Sequence, residues 1–345
     1  MTFSKEILKW YNTNKRELPW RQSKEPYRIW LSEIILQQTR VAQGIPYYEK
    51  FVTHFPTVFD MAAAQEQEIL KLWQGLGYYS RARNMLATAK IIVEQHQGVF
   101  PKTYKELLKL KGIGGYTASA VASICFEEPE PVVDGNVYRV LSRYFGIDIP
   151  INSTKGKKYF KQLAYTVMDD TNIRDYNQGI MEFGAIQCTP KKPQCMTCPL
   201  NENCVALSQH RIDELPVKNR TNKIKKRYFN YLIFFDKNGL TIMEQRKGRG
   251  IWQGLFQFPL IETVKIVERD FISHEIEKKF PNEKITSIKL FDEVPVIHKL
   301  SHQHLNTLFW IVETKNSIKQ GTPWSKIEAY PTPVLIADFI KRFKN

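Results

Sequence analysis

Four cysteines lie within the seventeen residues 188–204, in the pattern Cys188-x6-Cys195-x2-Cys198-x5-Cys204. Four thiolates so close together can bind one polynuclear metal centre, and a [4Fe–4S] cluster takes four cysteine ligands. A zinc ribbon usually has two C-x2-C pairs separated by a longer insert, and only the middle pair here has that spacing. A disulfide knot would suit a secreted chain, but we find no secretory signal and few other cysteines. The pattern therefore favours an iron–sulfur loop with a structural role, and zinc or disulfides are the alternatives.

A glycine-rich segment, Leu110–Ala118 (LKGIGGYTA), lies within a predicted helical hairpin at about 105–125. Its glycines permit a tight turn, and the backbone N–H groups that start the next helix can face a phosphate. The segment resembles the hairpin of the helix-hairpin-helix motif, which binds the DNA backbone without reading its sequence. We expect Lys111, Gly112 and Gly114 to make these backbone contacts, although a lone G-x-G-G also occurs in ordinary turns between helices.

The predicted secondary structure that positions these segments changes near residue 216, from helices to a mixture of strands and helices. Apolar residues at three- and four-residue spacing predict helices at 27–39, 42–52, 80–95, 117–125, 136–144, 156–168 and 173–186. Aromatic and β-branched residues then predict strands at 228–235, 239–245, 287–292 and 305–313, with helices near 264–279 and 332–343. We therefore expect a helical domain over 1–215, a linker over 216–227 and an α+β domain over 228–345.

The linker carries much of the positive charge of the chain. The formal net charge is +15, and the twelve residues 216–227 (PVKNRTNKIKKR) include six basic residues and no acidic residue. Such a run suits a polyanion such as DNA or RNA, although a solvated linker can have the same composition. No apolar run approaches the ~20 residues of a membrane span, and the N-terminus lacks a signal-peptide core. We expect a soluble cytoplasmic protein, associated with the nucleoid and without a membrane partner.

Three elements in this order resemble the endonuclease III superfamily of helix-hairpin-helix DNA glycosylases: the glycine hairpin, Val133–Arg139 (VDGNVYR) and the cysteine loop. Leu31–Thr39 (LSEIILQQT) and Trp73–Tyr79 (WQGLGYY) are similar to adenine DNA glycosylases of the MutY type. The resemblance covers residues 1–209. It implies a multi-domain α and α+β protein, in which an all-helical helix-hairpin-helix domain with an iron–sulfur loop precedes a C-terminal Nudix-like α+β domain. It also implies a monomeric base excision repair enzyme that removes adenine paired with 8-oxoguanine or guanine in double-stranded DNA.

The resemblance assigns the chemistry to two carboxylates. It makes Glu33 the acid that protonates adenine at N7 and later handles the water, and Asp134 the carboxylate that stabilises the oxocarbenium-like sugar. Glu33 has the apolar neighbours Trp30, Ile34 and Ile35, and burial among them should raise its pKa. The alternative is that Glu33 is a surface acid and Asp134 only caps the next helix.

Tyr116 stands where bifunctional enzymes of the superfamily have a lysine. A tyrosine cannot form a Schiff base, so the resemblance implies base removal without strand cleavage. Tyr116 and Asn136 would then support the sugar end of the site. The remaining family positions are those that line the adenine pocket, Arg16, Trp20, Arg21 and Gln178, and those that enter the base stack when adenine is flipped out, Gln38 and Tyr78.

The C-terminal part resembles a Nudix domain through Gly250–Pro259 (GIWQGLFQFP), but it lacks the glutamate-rich metal box, so we do not expect pyrophosphate hydrolysis. In the MutY type this domain recognises 8-oxoguanine through a loop with a Phe-Ser-His core. This chain has Leu300, Ser301 and His302 there. Ser301 can accept a hydrogen bond from the N7–H that oxidation creates on guanine. The leucine changes the ring packing of the family's phenylalanine but leaves the polar contacts.

Two other functions stay open at the level of sequence. A related glycosylase for mismatched thymine or uracil would have the same helical domain, and the additional C-terminal domain argues against it. A non-catalytic DNA-binding scaffold could also use the iron–sulfur fold, and the presence of both Glu33 and Asp134 argues against that. A base-release assay distinguishes the three.

Overall fold

The structure, a computed structural model, describes residues 2–219 and 224–344, and the chain divides into two compact units. The first unit comprises Met1–Ala64 and Asn84–Arg220, and the second comprises Gln65–Arg83 and Thr221–Asn345. The segment 65–83 was expected in the helical domain. It groups with the C-terminal part because its side chains form hydrogen bonds with residues of that part. Arg83, for example, donates to the backbone carbonyl of Gln253 at 2.6 Å. Residues 220–223 of the expected basic linker lie outside the described residues.

The described chain forms α-helices of four to seventeen residues. They are α1 (Phe3–Asn14), α2 (Pro26–Leu36), α3 (Val41–His54), α4 (Val58–Ala63), α5 (Glu66–Leu72), α6 (Ser80–His96), α7 (Tyr104–Leu107), α8 (Gly115–Phe126), α9 (Gly135–Phe145), α10 (Thr154–Val167), α11 (Ile173–Glu182), α12 (Val205–Ser208), α13 (Arg269–Lys279) and α14 (Val334–Lys344). Short 3₁₀ turns lie at Pro19–Gln22, Cys195–Thr197, Asn201–Asn203 and Trp324–Ala329, and a π turn at Phe183–Gln187.

Helix α8 is the central helix of the first unit. All eight of its residues from Thr117 to Ile124 are buried, and Ala118, Ala120 and Ala122 are fully so. Its small side chains allow α2 and α11 to pack closely against it. This packing brings the first turn of α8 next to the middle of α2, where Glu33 lies.

The second unit contains a five-stranded sheet. The strands of this unit are β1 (Lys225–Phe235), β2 (Leu240–Thr241), β3 (Glu244–Gln245), β4 (Phe256–Gln257), β5 (Leu260–Thr263), β6 (Ile285–Leu290), β7 (Val296–Lys299), β8 (Gln303–Thr314) and β9 (Thr322–Pro323). The order across the sheet is β5–β1–β8–β6, and β7 also pairs with β8. Strands β1 and β8 run parallel with Tyr231 opposite Phe309, whereas the other pairs are antiparallel.

Helices α13 and α14 cover opposite faces of this sheet. Leu232 and Phe234 of β1 share an apolar core with Ile276 of α13. Successive strand residues point to opposite faces, and on the other face Phe309 of β8 stacks on Phe339 of α14 with ring centroids 4.2 Å apart. The predicted α and α+β fold class is confirmed.

The expected basic linker differs in part from the structure, because β1 already begins at Lys225. Lys225 and Lys226 are exposed. Arg227 instead binds the carboxylate of Glu262 through two contacts of 2.6 Å, so it is engaged within the unit. The predicted strand at 239–245 is in fact two short strands, since β2 pairs with β9 and β3 with β4. Among the described residues, no helix is long and apolar enough to cross a membrane.

Candidate active site

Glu33 lies in the middle of α2, a helix whose side chains are almost all buried. Pro26 in the first turn and Glu25, whose carboxylate accepts from two backbone N–H groups, start this helix. Only 7% of Glu33 is exposed. Burial raises the pKa of Glu33 to about 7, because the ionised carboxylate loses its solvation, and a hydrogen bond from Tyr116 acts in the opposite sense. Glu33 can therefore hold or release a proton near neutral pH.

Tyr116 of α8 and Asp134 at the start of α9 both lie close enough to Glu33 to shift its pKa. The Tyr116 hydroxyl hydrogen-bonds the Glu33 carboxyl and lies 3.3 Å from Sδ of Met181. Burial and the two neighbouring carboxyl groups raise the pKa of Tyr116 well above its usual value, so the phenol stays neutral. Three of the predicted catalytic residues are thus assembled where α2, α8 and α9 meet.

Asp134 is the N-cap residue of α9. One carboxylate oxygen accepts from the backbone N–H groups of Asn136 at 2.9 Å and Val137 at 2.8 Å, and the other accepts from the Asn136 side-chain amide at 2.8 Å. Burial raises the pKa of Asp134, and these hydrogen bonds oppose the rise because they stabilise the ionised form. The cap fixes the orientation of the carboxylate, so capping and chemistry are compatible roles for one residue.

A chain of hydrogen bonds connects Asp134 to the cysteine loop. The side-chain oxygen of Asn136 accepts from Nη2 of Arg139 at 2.9 Å, and Nε of Arg139 donates to the backbone carbonyl of Cys188 at 2.7 Å. The sequence motif contains Arg139 but gave it no role. Through Arg139 and Asn136, the loop and the carboxylate of Asp134 are held in a fixed relation.

The four loop cysteines line one pocket together with apolar side chains such as Leu207. The buried guanidinium of Arg143 lies 3.5 Å from Sγ of Cys188 and also donates to the carbonyls of Thr189 and Pro190. An iron–sulfur cluster with four thiolate ligands carries negative charge, which this cation offsets. The thiols, the pocket and the adjacent cation fit a [4Fe–4S] cluster.

Arg16 and Arg21, which the sequence assigned to the adenine pocket, converge on Glu182, a residue that the sequence analysis missed. Arg16 contacts its carboxylate twice at 2.6 Å, and Arg21 contacts it at 2.9 Å. Burial would raise the pKa of Glu182, but these hydrogen bonds outweigh it and lower the pKa to about 2. Glu182 follows Gln178 by one helical turn on α11, and this i, i+4 spacing is the signal that could have identified it.

The two other predicted pocket residues, Trp20 and Gln178, are also buried. Trp20 packs edge-on against Tyr48, and Gln178 accepts a hydrogen bond of 3.4 Å from the Tyr11 hydroxyl. Arg21 also contributes to lowering the pKa of Glu33. Of the predicted pocket set, Arg21 therefore lies close enough to Glu33 to act on its charge.

The predicted hairpin is formed by α7, α8 and the turn between them. Gly112 has a φ of 76°, and a Cβ at that position would lie 2.6 Å from Cβ of Asn84, so this turn requires glycine. Gly114 precedes α8, whose first turn is capped by no described side chain. Lys111 is exposed beside it. Uncapped backbone N–H groups next to a lysine suit a phosphate.

Both predicted wedge residues have a left-handed backbone. Gln38, which is exposed just after α2, has a φ of 56°. Tyr78, which precedes α6, has a φ of 47° and is 47% exposed. Positive φ is uncommon for residues other than glycine, and it occurs preferentially at functional positions. Gln38 belongs to the first unit and Tyr78 to the second.

Leu300, Ser301 and His302 form the turn between β7 and β8 in the second unit. The backbone N–H of Leu300 donates to the carbonyl of Gln303 at 2.8 Å and closes the turn. Oγ of Ser301 lies 3.2 Å from Nδ1 of His302, and both side chains are exposed. Two polar groups are therefore accessible at the end of the β7–β8 hairpin.

Three family models match the chain. The model for HhH-GPD superfamily base excision DNA repair proteins matches residues 31–164, the iron–sulfur binding domain of endonuclease III matches 188–204, and the NUDIX domain matches 230–342. The second match confirms the predicted [4Fe–4S] cluster, for which Cys188, Cys195, Cys198 and Cys204 are the thiol groups of this segment.

Known proteins are similar over the whole chain. The adenine DNA glycosylase of Buchnera aphidicola subsp. Baizongia pistaciae (strain Bp) is 36% identical over 362 residues, which is 100% of this chain and 98% of that protein. The same enzyme of Buchnera aphidicola subsp. Schizaphis graminum (strain Sg) is 38% identical over 89% of this chain and 86% of its own length.

Among solved structures, a thermostable thymine-DNA glycosylase superposes with a TM-score of 0.56 at 33% identity. It covers 60% of this chain and 95% of its own, so a large part of the present chain has no counterpart in it. The two relatives, which match 100% and 89% of the chain, are adenine DNA glycosylases, and this protein accordingly binds DNA. The chain belongs to the adenine DNA glycosylases, which are base excision repair enzymes of the helix-hairpin-helix superfamily.

Proposed function

We propose that this chain acts as a monomer on duplex DNA, removes adenine paired with 8-oxoguanine or guanine, and leaves the DNA backbone intact. The observation that carries this proposal is the buried carboxyl of Glu33, whose pKa is raised to about 7 beside Tyr116 and Asp134. A carboxyl with that pKa can donate a proton at neutral pH, whereas an ordinary surface glutamate is already ionised.

The reaction is a hydrolysis of the N-glycosidic bond. Glu33 gives its proton to N7 of adenine, and the bond breaks with its electron pair leaving on the base. The carboxylate of Asp134, oriented by Asn136, stabilises the positive charge that develops on the sugar. Water then adds to the anomeric carbon, and its proton goes to the Glu33 carboxylate, which restores the acid.

Strand cleavage is not part of the proposed activity, because position 116 is a tyrosine. A Schiff base with the sugar requires an amine, and the Tyr116 phenol has none to offer. Its hydroxyl, bonded to Glu33, instead supports the acid, and Asn136 supports Asp134. Because position 116 has no lysine, the proposed site releases the base and does not cleave the strand.

Adenine must leave the duplex to reach Glu33. We assign to Gln38 and Tyr78 the role of filling the gap that adenine leaves in the base stack. Both residues are exposed and have strained backbone conformations. The extruded base would enter a pocket formed by the predicted set Arg16, Trp20, Arg21 and Gln178. The hairpin groups, Lys111, Gly112 and Gly114, would hold the flanking phosphate.

The second domain, 228–345, is assigned to recognition of 8-oxoguanine. The accessible hydroxyl of Ser301 can accept from the N7–H of the oxidised base, a donor that guanine lacks. His302 beside it offers a second polar contact, and Leu300 in the same turn is half-buried. Cys188, Cys195, Cys198 and Cys204 would hold the [4Fe–4S] cluster, which would cross-link the loop 188–204. Arg139 connects that loop to Asn136.

Release of free base from synthetic duplexes tests the proposal. The full chain is incubated with duplexes that contain one A:8-oxoguanine, A:G, A:T or G:T pair, and released base and strand breaks are measured in the same samples. We expect adenine from the first two duplexes, more from A:8-oxoguanine, and no strand breaks. The G:T duplex tests the rival function, since release of thymine from it would assign the chain to mismatched thymine instead.

A further inference from the structure

The turn that presents Tyr78 has an unusual backbone. Gly75, Gly77 and Tyr78 have φ angles of 107°, 71° and 47°, so three of four consecutive residues lie in the left-handed region. Glycine adopts such angles readily, but an aromatic residue does so only under strain of about 1–3 kcal/mol. The Tyr78 ring is also 47% exposed, so burial of the ring does not supply the compensating energy. Other groups must stabilise this conformation.

Trp73 and Arg81 make the contacts that stabilise this conformation. Nε1 of the fully buried Trp73 donates to the carbonyl of Gly77 at 2.9 Å. Nη2 of Arg81 lies 3.3 Å from the carbonyl of Leu76 and 3.2 Å from that of Gly77. Two consecutive carbonyl groups of the turn are therefore held by a single guanidinium, and one of them is held from a second side by the indole.

The same guanidinium also lies against both rings. Its central carbon is 4.9 Å from the ring centroid of Trp73 and 5.6 Å from that of Tyr78. Cation–π attraction of this kind is stronger when the cation is partly desolvated. Burial lowers the pKa of Arg81 to about 10, which leaves it positively charged at neutral pH. Arg81 thus joins the buried indole, the carbonyl groups of the turn and the exposed phenol.

We propose that Arg81 is a positioning residue that holds Tyr78 in its strained conformation, ready to enter the base stack before DNA arrives. The inference rests on the proposed function of Tyr78 as a wedge. A pre-organised aromatic ring need not be ordered during binding, so the free energy of binding is available to separate the bases. Arg81 would then act on base extrusion through Tyr78 and contribute little to general DNA affinity.

The test uses the full chain and duplexes in which 2-aminopurine replaces the adenine opposite 8-oxoguanine. The fluorescence of 2-aminopurine rises when it leaves the stack, and a Glu33→Gln background prevents its release. The variants are Tyr78→Ala, Arg81→Met, the double variant, and Lys90→Met as a control that removes one exposed charge from the same helix α6. Single-turnover adenine release and the Kd for the duplex are measured with Glu33 restored.

We expect Arg81→Met to lower both the fluorescence rise and the release rate by about tenfold or more, since small misplacements at a reacting site have effects of this size. The Kd should stay close to that of Lys90→Met. The double variant should be no worse than Tyr78→Ala, because the two residues act as one unit. Additive losses, or a release rate equal to that of the control, would overturn the inference.

Two measurements keep the outcome unambiguous. If Tyr78→Ala itself leaves fluorescence unchanged, the wedge assignment fails; if Tyr78→Ala lowers it and Arg81→Met does not, only the role of Arg81 fails. If Arg81→Met does not fold, Arg81→Lys takes its place, because lysine keeps the charge but lacks the planar guanidinium that lies against the rings of Trp73 and Tyr78. A smaller fluorescence rise in Arg81→Lys, at an unchanged melting temperature, would support the proposal, and full activity of Arg81→Lys would contradict it.

Discussion

At the residue scale, the burial that suits Glu33 for acid catalysis should also reduce stability at high pH. Its pKa is raised from 4.5 to about 7, so between these values the folded protein keeps a proton that the unfolded chain has released. The free energy of unfolding therefore falls as pH rises through this window, by roughly 3 kcal/mol in total, and falls no further above it. The proposed role in catalysis and the stability of the fold therefore make opposite demands on this side chain.

Glu33→Gln should remove that penalty, because the amide is neutral at every pH. We expect its melting temperature to exceed that of the wild-type chain at about pH 8.5 and to match it at about pH 5. Glu94→Gln, an exposed glutamate of α6, is the matched control and should show no such difference. If the melting temperatures of Glu33→Gln and wild type differed by the same amount at both pH values, that result would be inconsistent with a buried, neutral Glu33.

Tyr116 offers a second test at this scale. Tyr116→Lys places an amine next to Glu33 and Asp134, where it can attack the sugar and form a Schiff base. We expect a DNA adduct that borohydride traps, together with strand cleavage, and neither product from wild type or from Tyr116→Phe. If no adduct forms while adenine is still released, position 116 does not face the sugar.

At the scale of elements, the cysteine loop should depend on its cluster for structure. We expect about four irons per purified chain, as four-thiolate ligation implies. Cys198→Ser should lower the iron content, the melting temperature and DNA binding together, because the loop connects through Arg139 to Asn136. Cys125→Ser, a cysteine of α8 outside the loop, should retain the iron. Stoichiometric zinc in an anaerobic preparation would contradict the cluster assignment.

Local sequence patterns predicted the secondary-structure elements well, but they predicted poorly the contacts between residues that are far apart in the sequence. The apolar neighbours of Glu33 predicted its burial, and the cysteine spacing predicted the iron–sulfur loop. The ion pair of Arg16 with Glu182 joins residues 166 positions apart, and no periodicity within a window of sequence encodes such a contact. The pairing of Arg227 with Glu262 across β1 and β5 was missed for the same reason, although the basic run was recognised.

At the scale of the whole molecule, the second domain should determine which partner base is accepted. Ser301→Ala combined with His302→Ala should leave excision from A:G little changed and should lose much of the preference for 8-oxoguanine. Each good polar contact to a base edge contributes about 1–3 kcal/mol of discrimination, so the ratio of the two rates should fall by about tenfold or more. His274→Ala, an exposed histidine of α13, is the control. An unchanged ratio would assign this domain another purpose.

The central claim is that Glu33 donates a proton from a carboxyl with a pKa of about 7. The most direct test is the single-turnover rate of adenine release from an A:8-oxoguanine duplex, measured with the full chain from about pH 5.5 to about pH 9, with the Kd for the duplex measured across the same range. We predict a rate that falls tenfold per pH unit above the pKa of Glu33 while the Kd changes little, and a loss of at least about 10²-fold in Glu33→Gln. A rate that is constant or rises across that range, or a Glu33→Gln variant within a few-fold of wild type, would contradict it.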